Sequence, residues 1–202
     1  MHFKVKASKG AILYFHGNAG DLSRWGIITE YFVNLGYDVF IMDYRTYGKS
    51  TGVLSEQALY NDAQLCYKAL SEMFNENQIT IYGRSLGTAI ATKIAATNNP
   101  KQLILETPYY SIVDVAKLRF PFIPVSYVMK YELPTHKFIK NVSCPIYMFH
   151  GTDDYIVPYS SGEKLFKASR KKNATFITIK NAGHNNIIDF DLYHQQIKVI
   201  LP

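Results

Sequence analysis

Short apolar runs separated by helical stripes set the reading of this chain. Ala11-Ile-Leu-Tyr-Phe15 is a continuous apolar run of strand length, which suits a strand buried on both faces. Residues 37–42, 79–82, 102–106, 145–150 and 175–180 have the same character. Between these runs the apolar positions recur at helical spacing. Ile28, Tyr31, Phe32 and Leu35 form one stripe. Leu59, Ala63, Cys66, Leu70 and Phe74 form another, which predicts a long helix over 56–78. Further helices are expected after Gly87, over 162–169 and over 189–200. Asp21 or Ser23 suits the N-cap of the first helix, Ser55 heads the second, and Gly36 suits the end of the first. Residues 3–7 predict a short leading strand, followed by a turn at 8–10.

Strands therefore alternate with helices from end to end, with no internal repeat and no linker-like tract. This predicts an α/β fold: a mostly parallel central sheet with helices on both faces, in a single domain over 1–202. One stretch breaks the alternation. In residues 109–140 aromatic side chains (Tyr109, Tyr110, Phe120, Phe122, Tyr127, Tyr131) alternate with Pro121, Pro124 and Pro134. The stretch is too aromatic for disorder and too broken for a long helix, and is expected to form a short cap over the sheet's active edge. Ligands of such sheets bind beyond the carboxyl ends of the strands. The polar loops at 16–20, 43–52, 83–87, 106–111, 151–155 and 181–185 all fall at those ends.

Composition narrows the class. Hydrophobic residues make up 48% and charged residues 19% of the 202, which suits a packed core and argues against disorder. The net charge of +6 has its clearest cluster in Lys164, Lys167, Arg170, Lys171 and Lys172. This reads as a solvated helix face, and no nucleic-acid partner is expected. No stretch is long enough to span a bilayer, and residues 1–6 lack a secretory apolar region. Cys66 and Cys144 fall in predicted buried elements without metal spacing, so reduced core thiols and a cytoplasmic location are expected.

The chemistry centres on Gly83-Arg-Ser-Leu-Gly87, which follows a β-branched and aromatic run and precedes a small-residue helix. Strand, sharp turn and helix with a serine at the apex form a nucleophile elbow. The turn strains Ser85, the flanking glycines remove Cβ atoms where strand and helix cross, and the Leu86 N–H is aimed at an oxygen bonded to Ser85. A serine hydroxyl needs an adjacent base, and that base needs an orienting group. His184 follows the last predicted strand, and Asp153 and Asp154 follow the one before, giving the chain order Ser, Asp, His. His16 and His150, each preceding a glycine, read as loop-shaping groups. A second oxyanion donor is expected in the loop after the first interior strand, where Gly17 lets the Asn18 N–H turn towards the same point as that of Leu86. No histidine spacing proposes a metal, and no cofactor is expected.

Taken together, His16 to Gly20 (H-G-N-A-G), Asp43 to Ser50 (D-Y-R-x-Y-G-x-S), Gly83 to Gly87 (G-R-S-L-G), His150 to Val157 (H-G-x-x-D-x-x-V) and Gly183 to Asn185 (G-H-N) resemble, in order over nearly the whole chain, the serine hydrolases of the α/β-hydrolase superfamily. The likeness is to the Bem46-like, acyl-protein-thioesterase-like and serine-aminopeptidase-like branch. The resemblance implies Ser85 as nucleophile, Asp154 as acid, His184 as base, and Asn18 and Leu86 as oxyanion donors. It implies a carboxylesterase-type enzyme acting on a small-molecule ester or thioester. Peptide or amide cleavage by the same triad, or a non-catalytic binding role, are the alternative readings. Thr46 stands where the branch usually has glycine and is expected to stiffen that loop. Members often carry a membrane anchor and an extra leading strand, and both are expected to be absent here.

Overall fold

A computed structural model describes residues 1–169 and 171–202. Among the described residues, seven strands form one sheet in the order β1-β3-β2-β4-β5-β6-β7. They are β1 (His2–Phe3), β2 (Ala11–Phe15), β3 (Asp38–Ile41), β4 (Ile79–Arg84), β5 (Gln102–Glu106), β6 (Ile146–Gly151) and β7 (Ala174–Ile179). β1 pairs antiparallel with β3, and every other pairing is parallel. The strand at the amino end is shorter than the 3–7 run predicts. The Asp38 carboxylate accepts from the Val5 N–H at 2.9 Å and sits 2.8 Å from His2 Nε2, so the chain leaves the ladder after Phe3.

Parallel strands buried on both faces need cover on both sides. The alternation in β2 shows the division: Ala11, Leu13 and Phe15 join one core cluster, Ile12 and Tyr14 the other. The first cluster takes in Leu59, Ala63 and Leu70 of α2 (Glu56–Ser71), Ile90 and Ile94 of α3 (Gly87–Ala95), and Leu165 of α7 (Tyr159–Ala168). Trp25 and Phe32 of α1 (Leu22–Asn34) and Tyr193 and Ile197 of α8 (Asp191–Ile200) pack on the opposite face. Asp21 caps α1 through the Ser23 N–H, and Ser55 caps α2 through the Ala58 N–H.

α2 stops at Ser71, short of the predicted end at residue 78. Asn75 is extended and closes a capping box with Gln78, which starts a separate 3₁₀ turn (Glu76–Gln78) before β4. Three short helices, α4 (Ile112–Arg119), α5 (Val125–Val128) and α6 (Thr135–Phe138), lie between β5 and β6. Pro124 and Pro134 stand at the N-caps of α5 and α6, so the prolines that break the stretch also start its pieces.

Among the basic residues, Lys164 pairs with Asp114 and lies over the Tyr110 ring, 4.2 Å from its centroid. Arg170 and the side chain of Lys171 lie outside the described residues. Among those described, no helix is long and apolar enough to cross a membrane. Thr46 adopts φ 71°, so a β-branched residue occupies the left-handed conformation that a glycine takes without cost.

Candidate active site

The elbow is built from backbone first. β4 ends at Arg84 and α3 begins at Gly87, leaving two residues to reverse the chain. Ser85 takes φ 49°, a costly conformation for a residue with a Cβ, so its surroundings must hold it there. The Ser85 N–H donates to the Glu106 carbonyl at 2.9 Å. The Ser85 carbonyl accepts from the Thr88 N–H at 2.9 Å and the Thr88 hydroxyl at 2.6 Å. The two glycines serve different neighbours. A Cβ on Gly83 would sit 2.6 Å from the Ala91 Cβ of α3, as expected where strand and helix cross. A Cβ on Gly87 would sit 2.1 Å from the Phe15 carbonyl oxygen, at the end of β2. Gly87 thus lets the loop after β2 lie against the elbow.

That loop carries His16, Gly17 and Asn18. His16 is fully buried between the Trp25 and Tyr44 rings, at 5.5 Å and 4.2 Å between centroids. Its Nδ1–H donates to the Gly17 carbonyl at 2.7 Å, and burial depresses its pKa. A Cβ on Gly17 would stand 3.6 Å from the Ser85 Cβ and 3.1 Å from the Trp25 ring, so this turn lies directly beside the serine. Asn18 and Leu86 line one pocket together with Ser85. The Leu86 N–H, at the start of α3, has no partner within the helix ladder. Tyr47 donates its hydroxyl hydrogen to Asn18 Oδ1, fixing that side chain.

His184 stands between Asp154 and Ser85. Its Nδ1 is 2.8 Å from Asp154 Oδ2 and its Nε2 is 2.9 Å from Ser85 Oγ. Asp154 is 5% exposed, and its Oδ1 accepts the N–H groups of Ile156 and Val157, each at 2.8 Å. Burial alone pushes the Asp154 carboxyl up. The hydrogen bonds from His150, His184 and the Val157 backbone outweigh it and hold the group well below the usual carboxylate range. An ionised carboxylate only accepts, so Nδ1 carries the proton and Nε2 offers a lone pair to the Ser85 hydroxyl. This tautomer is the one a general base needs. Asp153 is exposed and accepts from the Thr152 hydroxyl at 2.8 Å, away from the imidazole. His150 is fully buried, with Nε2 3.0 Å from the Val157 carbonyl and 3.5 Å from Asp154 Oδ2.

A family model described as serine aminopeptidase, S33, matches residues 6–137. The chain belongs to this α/β-hydrolase family. Among relatives, an uncharacterized protein of Mycobacterium tuberculosis is 32% identical over 178 residues, covering 87% of this chain and 63% of the relative. A lysophosphatidylserine lipase of Danio rerio is 31% identical over 185 residues, covering 80% and 47%. Alpha/beta hydrolase domain-containing protein 17B of Xenopus laevis is 30% identical over 198 residues, covering 95% and 66%. The chain thus spans between about half and two thirds of the length of these relatives. Its fold is that of solved α/β hydrolases. The monoacylglycerol lipase of Paleococcus ferrophilus has a TM-score of 0.72 at 18% identity, covering 100% of this chain and 96% of that one. A soluble variant of monoglyceride lipase from Saccharomyces cerevisiae has a TM-score of 0.73 at 16% identity, covering 100% and 89%.

Behind the α/β-hydrolase elbow lies a polar network that the sequence reading does not contain. Arg84 Nε lies 3.2 Å from Glu106 Oε1, both side chains being buried. The Tyr82 hydroxyl donates to Glu106 Oε2 at 2.5 Å and stands 3.0 Å from the Tyr193 hydroxyl. Arg84 Nη2 reaches the carbonyls of His184 and Asn185 at 3.5 Å and 3.4 Å, and Asn185 Oδ1 at 3.3 Å. The residue before the serine therefore tethers the loop that carries the imidazole. The one available signal was an arginine and a glutamate at the ends of two strands. Only the β4–β5 register, which sets Arg84 opposite Glu106, turns them into a pair.

Two pockets open at Ser85. One, of about 380 Å³, is lined mainly by apolar groups of the loop after β3, α2, the elbow and the segment between β5 and β6, among them Tyr44, Leu59, Leu86, Tyr109, Val115 and Leu133. The other, of about 230 Å³, is lined by Gly17, Asn18, Arg24, Trp25, Arg84, Ser85, Ile156, His184 and Asn185. Of the aromatics between β5 and β6, Tyr109 and Tyr131 line the first pocket, whereas Phe122 and Tyr127 are 98% and 90% exposed.

Proposed function

We propose that this chain is a serine hydrolase of the carboxylesterase type, cleaving carboxylic esters or thioesters through an acyl-Ser85 intermediate. As Ser85 Oγ bonds to the acyl carbon, its proton passes to His184 Nε2. Asp154 holds the Nδ1–H and stabilises the imidazolium that forms. The N–H groups of Leu86 and Asn18 receive the oxyanion of the tetrahedral intermediate. Collapse breaks the bond to the leaving oxygen or sulfur, which takes the proton from Nε2. Water then repeats the sequence on the acyl-enzyme, releasing the acid and restoring Ser85.

The observation that carries this reading is one imidazole bridging a buried carboxylate and a strained serine, at 2.8 Å and 2.9 Å. The apolar pocket beside Ser85 supports an acyl group as the part held there. A relative named as a lysophosphatidylserine lipase supports ester cleavage. Fluorophosphonate labelling with peptide mapping, alongside turnover of nitrophenyl esters, tests the reading. Ser85 is expected to be the sole labelled residue, and Ser85→Ala to lose both labelling and turnover. Labelling that persists in Ser85→Ala, or that maps to Ser50, overturns it.

A further inference from the structure

The two pockets at Ser85 differ in chemistry, and the proposed reaction assigns them different halves of the substrate. Asn18, Ser85 and Ile156 line both. Leu86 lines only the apolar pocket and His184 only the polar one. In acyl transfer the leaving atom must take its proton from His184 Nε2, so the leaving group departs on the imidazole side. The acyl chain then occupies the apolar pocket, and the departing alcohol or thiol occupies the pocket of Arg24, Trp25, Arg84 and Asn185.

That second pocket carries two guanidinium groups and two amide side chains, and no carboxylate is among its described lining residues. The two arginines are not equivalent. Arg84 is buried and paired with Glu106, so its charge is balanced inside the protein. Arg24 is exposed, stands with its guanidinium carbon 5.1 Å from the Trp25 ring centroid, and forms no ion pair with a carboxylate among the described residues. Arg84 lies against the same indole at 5.2 Å. The Trp25 Nε1–H is itself committed to the Ala19 carbonyl at 3.0 Å, which fixes the ring. The pocket therefore presents one uncompensated, planar donor fork over a rigid indole, beside the reacting serine. Guanidinium forks suit phosphate and carboxylate oxygens, which accept paired hydrogen bonds.

We propose that this pocket is a leaving-group site for an anion, with Arg24 as its specificity-determining residue. The preferred substrates are then esters or thioesters whose alcohol or thiol portion bears a phosphate or a carboxylate. This rests on the hydrolase reading above and adds the chemical class of the departing half.

The test uses hexanoyl esters that share one acyl group and one kind of leaving alkoxide: monohexanoyl glycerol, its 3-phosphate, and hexanoyl glycerate. All are used below their aggregation limits, so that surface effects play no part. At low ionic strength kcat/KM is expected to favour at least one anionic ester over the neutral one by about tenfold, ~1.4 kcal/mol. Whichever of the phosphate or carboxylate ester leads identifies the source of the anion. Arg24→Gln should bring that ratio to within about twofold of one, and Arg24→Lys, which keeps the charge but not the fork, should keep only part of it. Salt should erode the wild-type preference, because Arg24 is exposed. An anionic-to-neutral ratio near one in wild type, or a high ratio unchanged in Arg24→Gln, overturns the leaving-group site. Either result leaves the hydrolase reading standing while Ser85→Ala abolishes turnover of the neutral ester. Absence of turnover of all three by wild type, with no labelling of Ser85, overturns both.

Discussion

Replacing Asp154 by asparagine exchanges one carboxylate oxygen for an NH₂, and the geometry dictates which way the new amide must sit. Oδ1 of Asp154 accepts two backbone N–H groups, from Ile156 and Val157, each at 2.8 Å. Turning the amide so that its NH₂ faced those donors would forfeit two buried hydrogen bonds and strand two N–H groups, at about 1–3 kcal/mol each. The introduced side chain therefore keeps its oxygen on the backbone and places its NH₂ where Oδ2 was, 2.8 Å from His184 Nδ1. A donor at that position requires Nδ1 to accept. The imidazole proton moves to Nε2, which then points a hydrogen at Ser85 instead of a lone pair. The base is lost although every heavy atom stays in place. A wrong-tautomer imidazole in a serine-protease triad lowers kcat by on the order of 10⁴, equivalent to ~5 kcal/mol of transition-state stabilisation.

Asp153 is the internal control. Its carboxylate is exposed and accepts from Thr152, so Asp153→Asn should stay within about tenfold of wild type. The assay is kcat on one nitrophenyl ester at neutral pH for both variants, with circular dichroism to establish that each is folded. Full activity of Asp154→Asn would falsify the tautomer argument. A crippled Asp153→Asn beside an active Asp154→Asn would show that the loop presents the neighbouring acid.

Three further outcomes follow from the same network. The folded Asp154 carboxyl titrates below its unfolded value of about 3.9, so its contribution to stability is complete above that value and is lost as the pH falls below it. Denaturant titrations from about pH 5 to 3 should therefore show a steeper loss in wild type than in Asp154→Asn, and parallel curves would contradict this. Arg84→Met leaves Glu106 buried without its ion-pair partner, which should cost about 3–5 kcal/mol of stability. The double change Arg84→Met with Glu106→Leu should cost less than the sum of the singles, and strict additivity in a denaturant cycle would show that the pair is not coupled. Gly87→Ala drives a Cβ to 2.1 Å from a carbonyl oxygen and should cost about 1–3 kcal/mol or more, whereas Gly183→Ala meets nothing closer than 3.6 Å and should stay within about 0.5 kcal/mol. Equal thermal stabilities for the two alanine variants would undo that distinction.

Most of the sheet was legible because its signals are local. A five-residue apolar run such as Ala11–Phe15 states its own burial, and Ser55 states its own cap. The elbow was legible for the same reason: strand, turn and helix are consecutive, so a serine between two glycines carries its context with it. Proximity of loops at one edge was legible too, since parallel strands deliver all their carboxyl ends to one side. What the sequence does not encode locally is register and facing. Gly87 reads as relief for a strand crossing its own helix, yet its closest neighbour is the carbonyl of Phe15, which lies two strands earlier in the chain. Arg84 and Glu106 read as two separate charges, and only their opposition in the β4–β5 ladder makes them one neutral pair. Arg24 lies in the first turn of α1, and only the placement of Trp25 against the elbow brings it to the polar pocket. The chemistry proposed at Ser85 therefore rests on local motifs, whereas the preference proposed for a leaving group rests on contacts between elements. A sequence with every motif intact but without an arginine at position 24 would be expected to keep the first and lose the second.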